Sequence, residues 1–331
     1  MISVAVEEES QIGAARRFAL NLGKSIGLSS EHLDRLAIVV TEAGTNLVRH
    51  ARNGEILVGV EKSTGAGRVV VHAVDSGPGI PNVEVAMADG YTTSTEKRRG
   101  IGGGLGAMRR MADAFDIFSA PTGTIVLAKV GDLEAPPSYY DLAGLVVPMA
   151  DFEEGGDIYA SHVDEDATTV MLMDVLGHGP KAARDARSGF QAFEKAGSVS
   201  LEERERSVSE ALRDGRGAAA LTIEIPHGPG LLRCIGIGNI KGDIIHPDGG
   251  RNGIPSQPGI VGSANARVRV TEHEWRPGST LILATDGLKT SSAAPDPGAL
   301  LYRSAEIIAA GFYKLKRRGT DDAGVLVVRH P

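Results

Sequence analysis

Hydrophobic positions in the first third of the chain repeat with the periods of helices and strands in turn. Ala15, Phe18 and Leu22 recur at helical spacing, and a second helical pattern, with Ser29 or Ser30 as N-cap, runs through LSSEHLDRLAIVVTEAGTNLVRHA. A short third helix is predicted at Ala107–Asp113. Apolar runs typical of strands separate and follow these helices: ISVAV, EILVGVE, GRVVVHAVD, DIFSA and TIVLAKV. The pattern predicts an α/β domain over residues 1–132.

The periodicity stops in GDLEAPPSYYDLAG, which carries two adjacent prolines, and we place a linker at residues 133–141. The remainder, residues 142–331, is richer in strands, with helical stretches at about 179–213 and 303–317. Its strand-like runs are LVVPMA, DIYASHV, TTVMLMDV, AAALTIEI, LLRCIGI, STLILAT and GVLVVR. A mostly β pattern with a few helices predicts a β-sandwich flanked by helices.

Composition narrows the class of protein. The chain has 331 residues, is 42% hydrophobic and 23% charged, and carries a net charge of −7, which disfavours binding to nucleic acid or to an anionic membrane. The one cysteine, Cys234, lies in a strand-like run, so no disulfide framework or cysteine metal site is expected. With no signal peptide and no apolar run of about 18 residues, we expect a cytoplasmic protein.

The glycine-rich stretch RRGIGGGLGAMRRM, residues 98–111, suggests a loop that closes over a ligand. Gly102, Gly104 and Ala107 fit a dinucleotide-binding fingerprint, but the preceding YTTSTEKRR is polar and is not a strand, so that motif lacks its context. A P-loop is also excluded, because no G-x-x-x-x-G-K-[ST] occurs.

Two segments that precede this loop in the sequence also carry candidate ligand-binding residues. In TEAGTNLVRHA, three polar residues, Glu42, Asn46 and His50, are spaced four apart and form one stripe of a helix. In VDSGPGI, Asp75 ends a strand and can accept a hydrogen bond from an amine, while the glycines that follow let a flat ring approach the backbone.

In this order, TEAGTNLVRHA, VDSGPGI and GIGGGLGAM resemble the N box and the two glycine boxes of the GHKL (Bergerat-type) ATP-binding fold. The resemblance is strongest to the small serine kinases that control bacterial sigma factors and stress-signalling switch proteins. It implies that Asp75 binds the adenine amino group, Asn46 holds Mg²⁺ against the phosphates of ATP, and Glu42 is the general base. His50 is expected to be structural. The glycines implied in nucleotide binding are Gly77, Gly79, Gly100, Gly102, Gly104 and Gly106.

Four aspartates end strands or begin them in the second half: Asp157, Asp174, Asp286 and Asp321. Hard divalent cations prefer oxygen ligands, and a pair of such ions can activate water for phosphoryl transfer. Spacing alone leaves two alternatives open, a metal centre or four ordinary turns.

The strings GGDIYA, MDVLGHGPKAA, TLILATDGL and TDDAGVLVV resemble the SpoIIE-type branch of the PPM serine/threonine phosphatases. The resemblance implies an Mg²⁺ or Mn²⁺ pair held by these four aspartates and the backbone carbonyl of Val175. Two departures stand out. Gly324 replaces the usual threonine after Asp321-Asp322, so either aspartate could be the ligand, and the phosphate-clamping arginine of the eukaryotic branch has no evident counterpart.

The fold class expected is therefore a two-domain α+β chain, a GHKL sandwich followed by a PPM-type β-sandwich flanked by helices. The leading hypothesis is a bifunctional switch regulator that phosphorylates and dephosphorylates Ser/Thr on a STAS-domain switch or scaffold protein. An alternative makes the first domain an ATP-regulated module that binds a partner, such as a sigma factor, beside an active phosphatase. A third makes the phosphatase a degenerate scaffold. A homodimer is left open.

Overall fold

The computed structural model describes residues 1–63, 66–88, 104–133, 138–150, 152–228, 230–264, 268–289 and 298–330. It divides into two compact units, Met1–Pro136 (unit 1) and Pro137–Pro331 (unit 2). The division falls inside the segment that we expected to be the linker. Within the described ranges, no helix is both long enough and apolar enough to cross a membrane.

Unit 1 is one five-stranded antiparallel sheet with helices on one face. The sheet order is β1-β2-β3-β5-β4, and every neighbouring pair is antiparallel. Its elements in chain order are β1 (Ile2–Ala5), α1 (Glu9–Ser25), α2 (Ser30–His50), β2 (Glu55–Ser63), β3 (Ala66–Val74), α3 (Val83–Met87), α4 (Gly104–Met111), β4 (Ala114–Ala120) and β5 (Gly123–Val130).

Helix α2 carries the polar stripe, and its start and buried face follow from its sequence. The Ser29 hydroxyl caps it by accepting the backbone N–H of His32 at 3.2 Å. Its apolar residues recur at helical spacing and are buried against the sheet: Leu36, Val39, Val40, Ala43 and Leu47. The apolar face fixes the rotation of the helix, and so it fixes where the polar stripe points.

Helix α4 begins earlier than the sequence indicated. We predicted a helix at Ala107–Asp113, whereas the helix spans Gly104–Met111 and includes Gly104 and Gly106. Glycine costs about 1 kcal/mol relative to alanine inside a helix, which is why the prediction began after these residues. Burial of Leu105 and Met108 in the unit 1 core offsets that cost.

Unit 2 contains two five-stranded antiparallel sheets. Their orders are β13-β10-β9-β8-β7 and β12-β11-β14-β15-β6. Its elements in chain order are β6 (Asp141–Val147), β7 (Asp157–Val163), β8 (Ala167–Val175), α5 (Gly179–Ala196), α6 (Leu201–Ala211), β9 (Ala218–Pro226), β10 (Gly230–Ile237), β11 (Lys241–Ile245), β12 (Arg251–Ile254), β13 (Thr271–Trp275), β14 (Thr280–Ala284), a 3₁₀ helix (Gly298–Tyr302), α7 (Ala305–Lys316) and β15 (Ala323–Arg329).

The two sheets of unit 2 face each other across an apolar core. Leu221 and Cys234 from the first sheet pack in this core with Leu283 and Leu326 from the second. Helices α5 and α6 cover the outer face of the first sheet, and α7 packs on β6 and β15. The two-layer arrangement expected from the strand-rich pattern is therefore present, and burial of Cys234 raises the pKa of its thiol to about 12.

Three strands of unit 2 were absent from the sequence-based expectation. They are β11, β12 and β13, which have only four or five residues each, and β12 and β13 are largely polar. The edge strands β12 and β13 give little periodicity to detect because few of their side chains are buried, and β11, with five residues, is too short to show a clear repeat.

Candidate functional site

The polar stripe of α2 lies at the boundary between the core of unit 1 and its surface. Glu42 and Asn46 are partly buried and His50 is exposed. Burial raises the pKa of the Glu42 carboxyl, although the positive charge of Arg49 opposes the shift. Burial, followed by the charge of Arg49, lowers the pKa of His50. Glu42 is therefore a more basic carboxylate than one in water, which suits a group that accepts a proton.

Asp75 ends β3 and organises the turn that follows. Its Oδ1 accepts the backbone N–H of Gly77 at 2.6 Å, and its own N–H donates to the carbonyl of Thr124 at 3.0 Å. A Cβ on Gly77 would lie 3.3 Å from the carbonyl oxygen of His50. The fold therefore brings Asp75 and Gly77 against the C-terminal end of α2.

Gly79 is required by the backbone of this turn. Its φ is +76°, a region that favours glycine, and a Cβ there would overlap the carbonyl oxygen of Ala120. The next residue, Ile80, donates its N–H to the Ser119 hydroxyl at 2.6 Å. Sequence reasoning missed Ser119 because its contact depends on the β4–β5 hairpin lying beside the turn, which no local pattern reveals.

The first turn of α4 lies beside Asn46. A Cβ on Gly104 would lie 3.7 Å from Asn46 Oδ1, an ordinary van der Waals contact. Gly106 is the third residue of the same helix, and the first four N–H groups of a helix have no partner within it. Those groups can bind an anion near Asn46. The remaining expected phosphate-binding residues, Gly100 and Gly102, lie outside the described residues.

These residues fit a magnesium–nucleotide ligand by their chemistry. The amide oxygen of Asn46 is a ligand type that Mg²⁺ accepts, and the first turn of α4, which begins at Gly104, lies beside it. Bound there, Mg²⁺ would neutralise phosphate charge. The structure thus groups Asn46 with Gly104, and separately groups Asp75 and Gly77 with the end of α2.

In unit 2, two of the expected metal-binding aspartates are paired directly across two strands. Asp157 begins β7 and Asp174 lies near the end of β8, and the two residues are partners in the antiparallel register. Asp157 is only 6% exposed. Burial, and then the charge of Asp174, raises the pKa of Asp157 well above its usual range. Paired carboxylates without a nearby cation repel in this way, so the pair suits a divalent cation.

The other aspartates surround Asp174. Burial raises the pKa of Asp174 to about 7, and the charges of three further carboxylates add to that rise, namely Asp286, Asp321 and Asp322. Asp286 is oriented by Asn239, whose side-chain amide donates to Asp286 Oδ2 at 2.8 Å. Asn239 was missed from sequence, where its only signal was a polar residue in the glycine-rich turn GIGNIKG.

Asp321 and Asp322 have different surroundings. Asp322 is 4% exposed, and its two oxygens accept the backbone N–H groups of Met149 at 2.7 Å and Gly156 at 2.6 Å. Asp321 is exposed and accepts the N–H of Asp322 at 2.9 Å. Asp322 therefore ties the β6–β7 connection to β15, which favours Asp321 as the residue that could turn toward a metal.

Gly324, which replaces a threonine of the family pattern, has a structural explanation. Its N–H donates to the Thr285 hydroxyl at 2.8 Å, and that hydroxyl donates to Asp157 Oδ2 at 2.7 Å. A Cβ on Gly324 would lie 3.0 Å from the Thr285 methyl group and 3.1 Å from Asp157 Oδ2. Thr285 thus occupies the space beside Asp157 and supplies it with a hydroxyl.

Val175, the expected carbonyl ligand, follows Asp174 at the end of β8. Gly156 packs against it, because a Cβ on Gly156 would lie 2.7 Å from the carbonyl oxygen of Val175. Asp157, Asp174 and Val175, three of the expected metal ligands, therefore lie at one end of the β7–β8 pair. As they stand, no three acidic, histidine or cysteine side chains in the described ranges are already arranged as a metal-ligand set.

Comparisons with known proteins agree with this division. Residues 5–130 match the histidine kinase-like ATPase domain family, and residues 164–331 match the Stage II sporulation protein E (SpoIIE) family. Over 128 residues the chain is 33% identical to the serine/threonine-protein kinase RsbT of Bacillus subtilis, covering 38% of this chain and 92% of RsbT. An anti-sigma F factor of Thermoanaerobacter sp. is 29% identical over 111 residues. That match covers 33% of this chain and 74% of the anti-sigma F factor.

Solved structures show the same fold for unit 2. RsbX in complex with magnesium matches with a TM-score of 0.51 at 17% identity, covering 60% of this chain and 99% of RsbX. The RsbU and RsbW domains of Rv1364c from Mycobacterium tuberculosis match with a TM-score of 0.50 at 19% identity. The match covers 57% of this chain and 61% of the Rv1364c chain.

Unit 1 is thus a GHKL-type kinase-like ATPase domain, and unit 2 has the fold of PPM serine/threonine phosphatases. The chain belongs to the SpoIIE family through its second half, and its first half is an RsbT-like serine kinase homologue. The family and fold class expected from the motifs are confirmed, as is a regulatory combination of kinase-like and phosphatase domains.

Proposed function

We propose that the chain is a bifunctional switch regulator that phosphorylates and dephosphorylates serine or threonine on a STAS-domain protein. The observation that carries the hydrolytic half is the convergence of acidic side chains on Asp174, with Asp157 beside it on the paired strand. Such a cluster is costly without cations and supplies the hard oxygen ligands that a metal pair requires.

For the phosphatase, the proposed ligands are Asp157, Asp174, Asp286, Asp321 and the carbonyl of Val175. A pair of Mg²⁺ or Mn²⁺ ions there would supply Lewis acidity and an activated water for attack on phosphorus. The chain's own contribution is orientation: Thr285 holds Asp157, and Asn239 holds Asp286. Asp322 fixes the backbone that follows β6 and precedes β7.

For the kinase, the proposal assigns the adenine amino group to Asp75, Mg²⁺ to Asn46, phosphate binding to the glycines of residues 100–106, and proton removal from the substrate hydroxyl to Glu42. The raised pKa of Glu42 supports the last role, because a desolvated carboxylate is a stronger base. ATP is the expected phosphoryl donor. Similarity to RsbT, a named serine/threonine-protein kinase, supports transfer to a protein hydroxyl.

The test is label transfer from γ-labelled ATP to candidate STAS-domain proteins, using an Asp174→Ala background so that hydrolysis does not erase the product. In that background we expect Glu42→Gln to reduce transfer by on the order of 10²–10⁴-fold while nucleotide affinity stays unchanged. Glu31→Gln is the matched control, because Glu31 is exposed in the first turn of the same helix. Transfer that survives Glu42→Gln at the control rate contradicts the assigned base.

A second candidate function makes unit 1 a nucleotide-regulated binding module beside an active phosphatase. Similarity to proteins named anti-sigma F factor favours it, because that name describes binding to a sigma factor. The same assay separates the two: the binding module predicts no label transfer to any candidate, together with ATP-dependent co-purification of a partner.

A further inference from the structure

Four cations of unit 2 lie around the C-terminal end of α7, and we call them the basic cluster: Lys241, Arg251, Lys289 and Lys316. Lys241 begins β11, Arg251 begins β12, and Lys316 ends α7. Burial, and then the positive charge of Arg251, lowers the pKa of Lys316; the charge of Lys241 adds to this shift, and that of Asp243 opposes it. Three cations from separate elements therefore lie close enough to repel one another.

Lys289 joins this group through a short stretch of paired backbone. Leu288 and Arg317 form an antiparallel bridge, and the N–H of Lys289 donates to the carbonyl of Lys316 at 2.7 Å. This register sets Lys289 directly opposite Lys316, and both project on the face away from the buried Leu288. Like charges that face each other across a strand pair destabilise it, so this arrangement has a cost.

Neighbouring carboxylates do not neutralise the basic cluster. Within the described ranges, none of its four cations forms an ion pair with a carboxylate. By contrast, the exposed Arg187 of α5 pairs with Glu154 at 3.0 Å. The dipole of α7 favours a cation at its C-terminal end, which accounts for Lys316 alone, because Lys241 and Arg251 come from strands. In a chain of net charge −7, this is a local excess of positive charge.

The basic cluster flanks the segment that carries Asp286. Lys241 pairs with Ala284 in the strand register, and Ala284 precedes Asp286 by two residues. Lys289 follows Asp286 by three residues, and three residues of chain span at most about 11 Å between Cα atoms. A peptide bound in an extended conformation covers about 3.3 Å per residue. A few residues therefore bridge the distance from Asp286 to Lys289.

We propose that the basic cluster binds an acidic segment next to the phosphorylated residue in the protein substrate of unit 2. The carboxylates with their metal ions would act on the phosphate, and the basic cluster would select the sequence beside it. Binding of acidic side chains relieves the repulsion among the four cations, and complementary charge favours that partner over others. The proposal rests on the phosphatase activity proposed above.

The test compares two phosphoserine peptides that differ only in their flanking residues, Asp and Glu in one and Asn and Gln in the other. The full chain is loaded with Mn²⁺, and p-nitrophenyl phosphate serves as a substrate without a flank. The test variant combines three substitutions of exposed residues, Lys241→Gln, Arg251→Gln and Lys289→Gln. Lys316 is kept, because it is half-buried and its Nζ lies 4.9 Å from the centre of the Phe312 ring.

We expect the test variant to lower kcat/KM for the acidic peptide by about 5–50-fold at low ionic strength, the sum of three exposed charge contacts. The neutral peptide and p-nitrophenyl phosphate should change by less than about twofold, because neither offers charge to the basic cluster. In wild type, raising the ionic strength from about 0.05 M to about 0.5 M should remove most of the preference for the acidic peptide.

The matched control combines Lys195→Gln, Arg206→Gln and Arg213→Gln, which remove three exposed cations on or just after α5 and α6. It changes the net charge equally and should leave the preference for the acidic peptide intact. Equal losses on both peptides, or an equal loss in the control, would overturn the proposal. So would co-sedimentation with phosphatidylglycerol vesicles that the test variant abolishes while its peptide preference persists, which would assign the basic cluster to a membrane.

Failure of the phosphatase itself gives a different result. If wild type hydrolyses neither the peptides nor p-nitrophenyl phosphate, the activity proposed for unit 2 is wrong. Fluorescence anisotropy with the labelled acidic peptide then tests the basic cluster without catalysis. Weaker binding by the test variant than by the control supports the proposal, and equal dissociation constants overturn it.

Discussion

The two candidate sites solve opposite electrostatic problems. In unit 1, the ligand expected is an anion, and the protein contributes glycine backbone, one amide at Asn46 and one acidic turn at Asp75. In unit 2, the charge belongs to the protein, because carboxylates converge on Asp174 and raise its pKa to about 7. The first site is built mainly from backbone and amide groups, and the second from clustered negative charge that suits a cation.

Two buried ionisable groups outside the candidate sites show a similar opposition. Unit 1 buries His72, whose two ring nitrogens have no hydrogen-bond partner among the residues that the structure describes, and burial lowers its pKa to about 3. Unit 2 buries Glu205, and burial raises its pKa to about 7 despite a hydrogen bond from Thr222. The buried imidazole of His72 is therefore neutral above about pH 3, and the buried carboxyl of Glu205 is neutral below about pH 7.

The substitution with the largest expected effect, Asp174→Asn, tests whether the carboxylate cluster of unit 2 binds a cation. Asp174→Asn should lower phosphatase activity by on the order of 10³-fold and abolish the Mn²⁺-induced rise in Tm. The same substitution should stabilise the metal-free protein by about 1–3 kcal/mol, because it removes one of several repelling charges. Activity assays and calorimetry with and without Mn²⁺ measure both effects.

Asp166→Asn is the control for this experiment, because Asp166 is an exposed residue in the turn at the other end of the same β7–β8 hairpin. It should change neither property. If Asp174→Asn lowered the stability of the metal-free protein, repulsion between carboxylates would not dominate at the cluster. The proposed electrostatic difference between the two sites would then be wrong.

A smaller effect is expected at the acidic turn of unit 1. Asp75→Asn should weaken ATP binding by about 10–100-fold, because a charged acceptor for the adenine amine becomes a neutral amide. Hydrolysis of p-nitrophenyl phosphate by unit 2 should stay unchanged. Fluorescent-nucleotide titration measures the affinity, with the exposed Asp34→Asn of α2 as control. Equal affinities of the two variants would remove Asp75 from the nucleotide site.

The smallest effects concern stability and pH, and they should have opposite signs in the two units. For Glu205 the folded pKa is raised, so its carboxyl destabilises unit 2 as pH rises from the unfolded value of 4.5 to about 7. For His72 the folded pKa is lowered, so its imidazole destabilises unit 1 as pH falls from 6.5 toward 3.

We therefore expect Glu205→Gln to stabilise unit 2 by about 2–3 kcal/mol more at pH 8 than at pH 5. His72→Leu should stabilise unit 1 by about 2 kcal/mol more at pH 5 than at pH 8. Calorimetry of the full chain at both pH values, assigning each transition by its ATP or Mn²⁺ response, provides the measurement. If the difference in unfolding free energy between a variant and wild type did not change with pH, the shifted pKa of the substituted residue would be wrong.

The sequence predicted those parts of the molecule that depend on local pattern. Helix α2 was predictable from its cap and its apolar stripe, and the aspartates of unit 2 were found because they stand at strand ends. The serine kinase and SpoIIE resemblances added the family, which spacing alone left open.

What the sequence did not predict depends on which segments become neighbours. Asn239 and Thr285 act on aspartates from other parts of the chain, and Lys289 faces Lys316 only through the bridge beside them. The early start of α4 was missed for a different reason, because tertiary burial of Leu105 outweighs the low helix propensity of the glycines.

The β8–β9 pairing also limits how this chain can change length. Side chains alternate between the two faces of a strand, so inserting one residue into β8 just before Asp174 would turn that carboxylate away from Asp157. The same event in β9 would shift Arg216 by one rung and break the hydrogen bond from its guanidinium to the carbonyl of Leu176. The Asp164–Asp166 turn lies at the far end of the hairpin, where an insertion leaves the Asp157–Asp174 pair in register. That turn is instead tied to other segments, because Asp164 accepts a hydrogen bond from Ser198 and the carbonyl of Asp166 accepts the N–H of His227 at 2.8 Å.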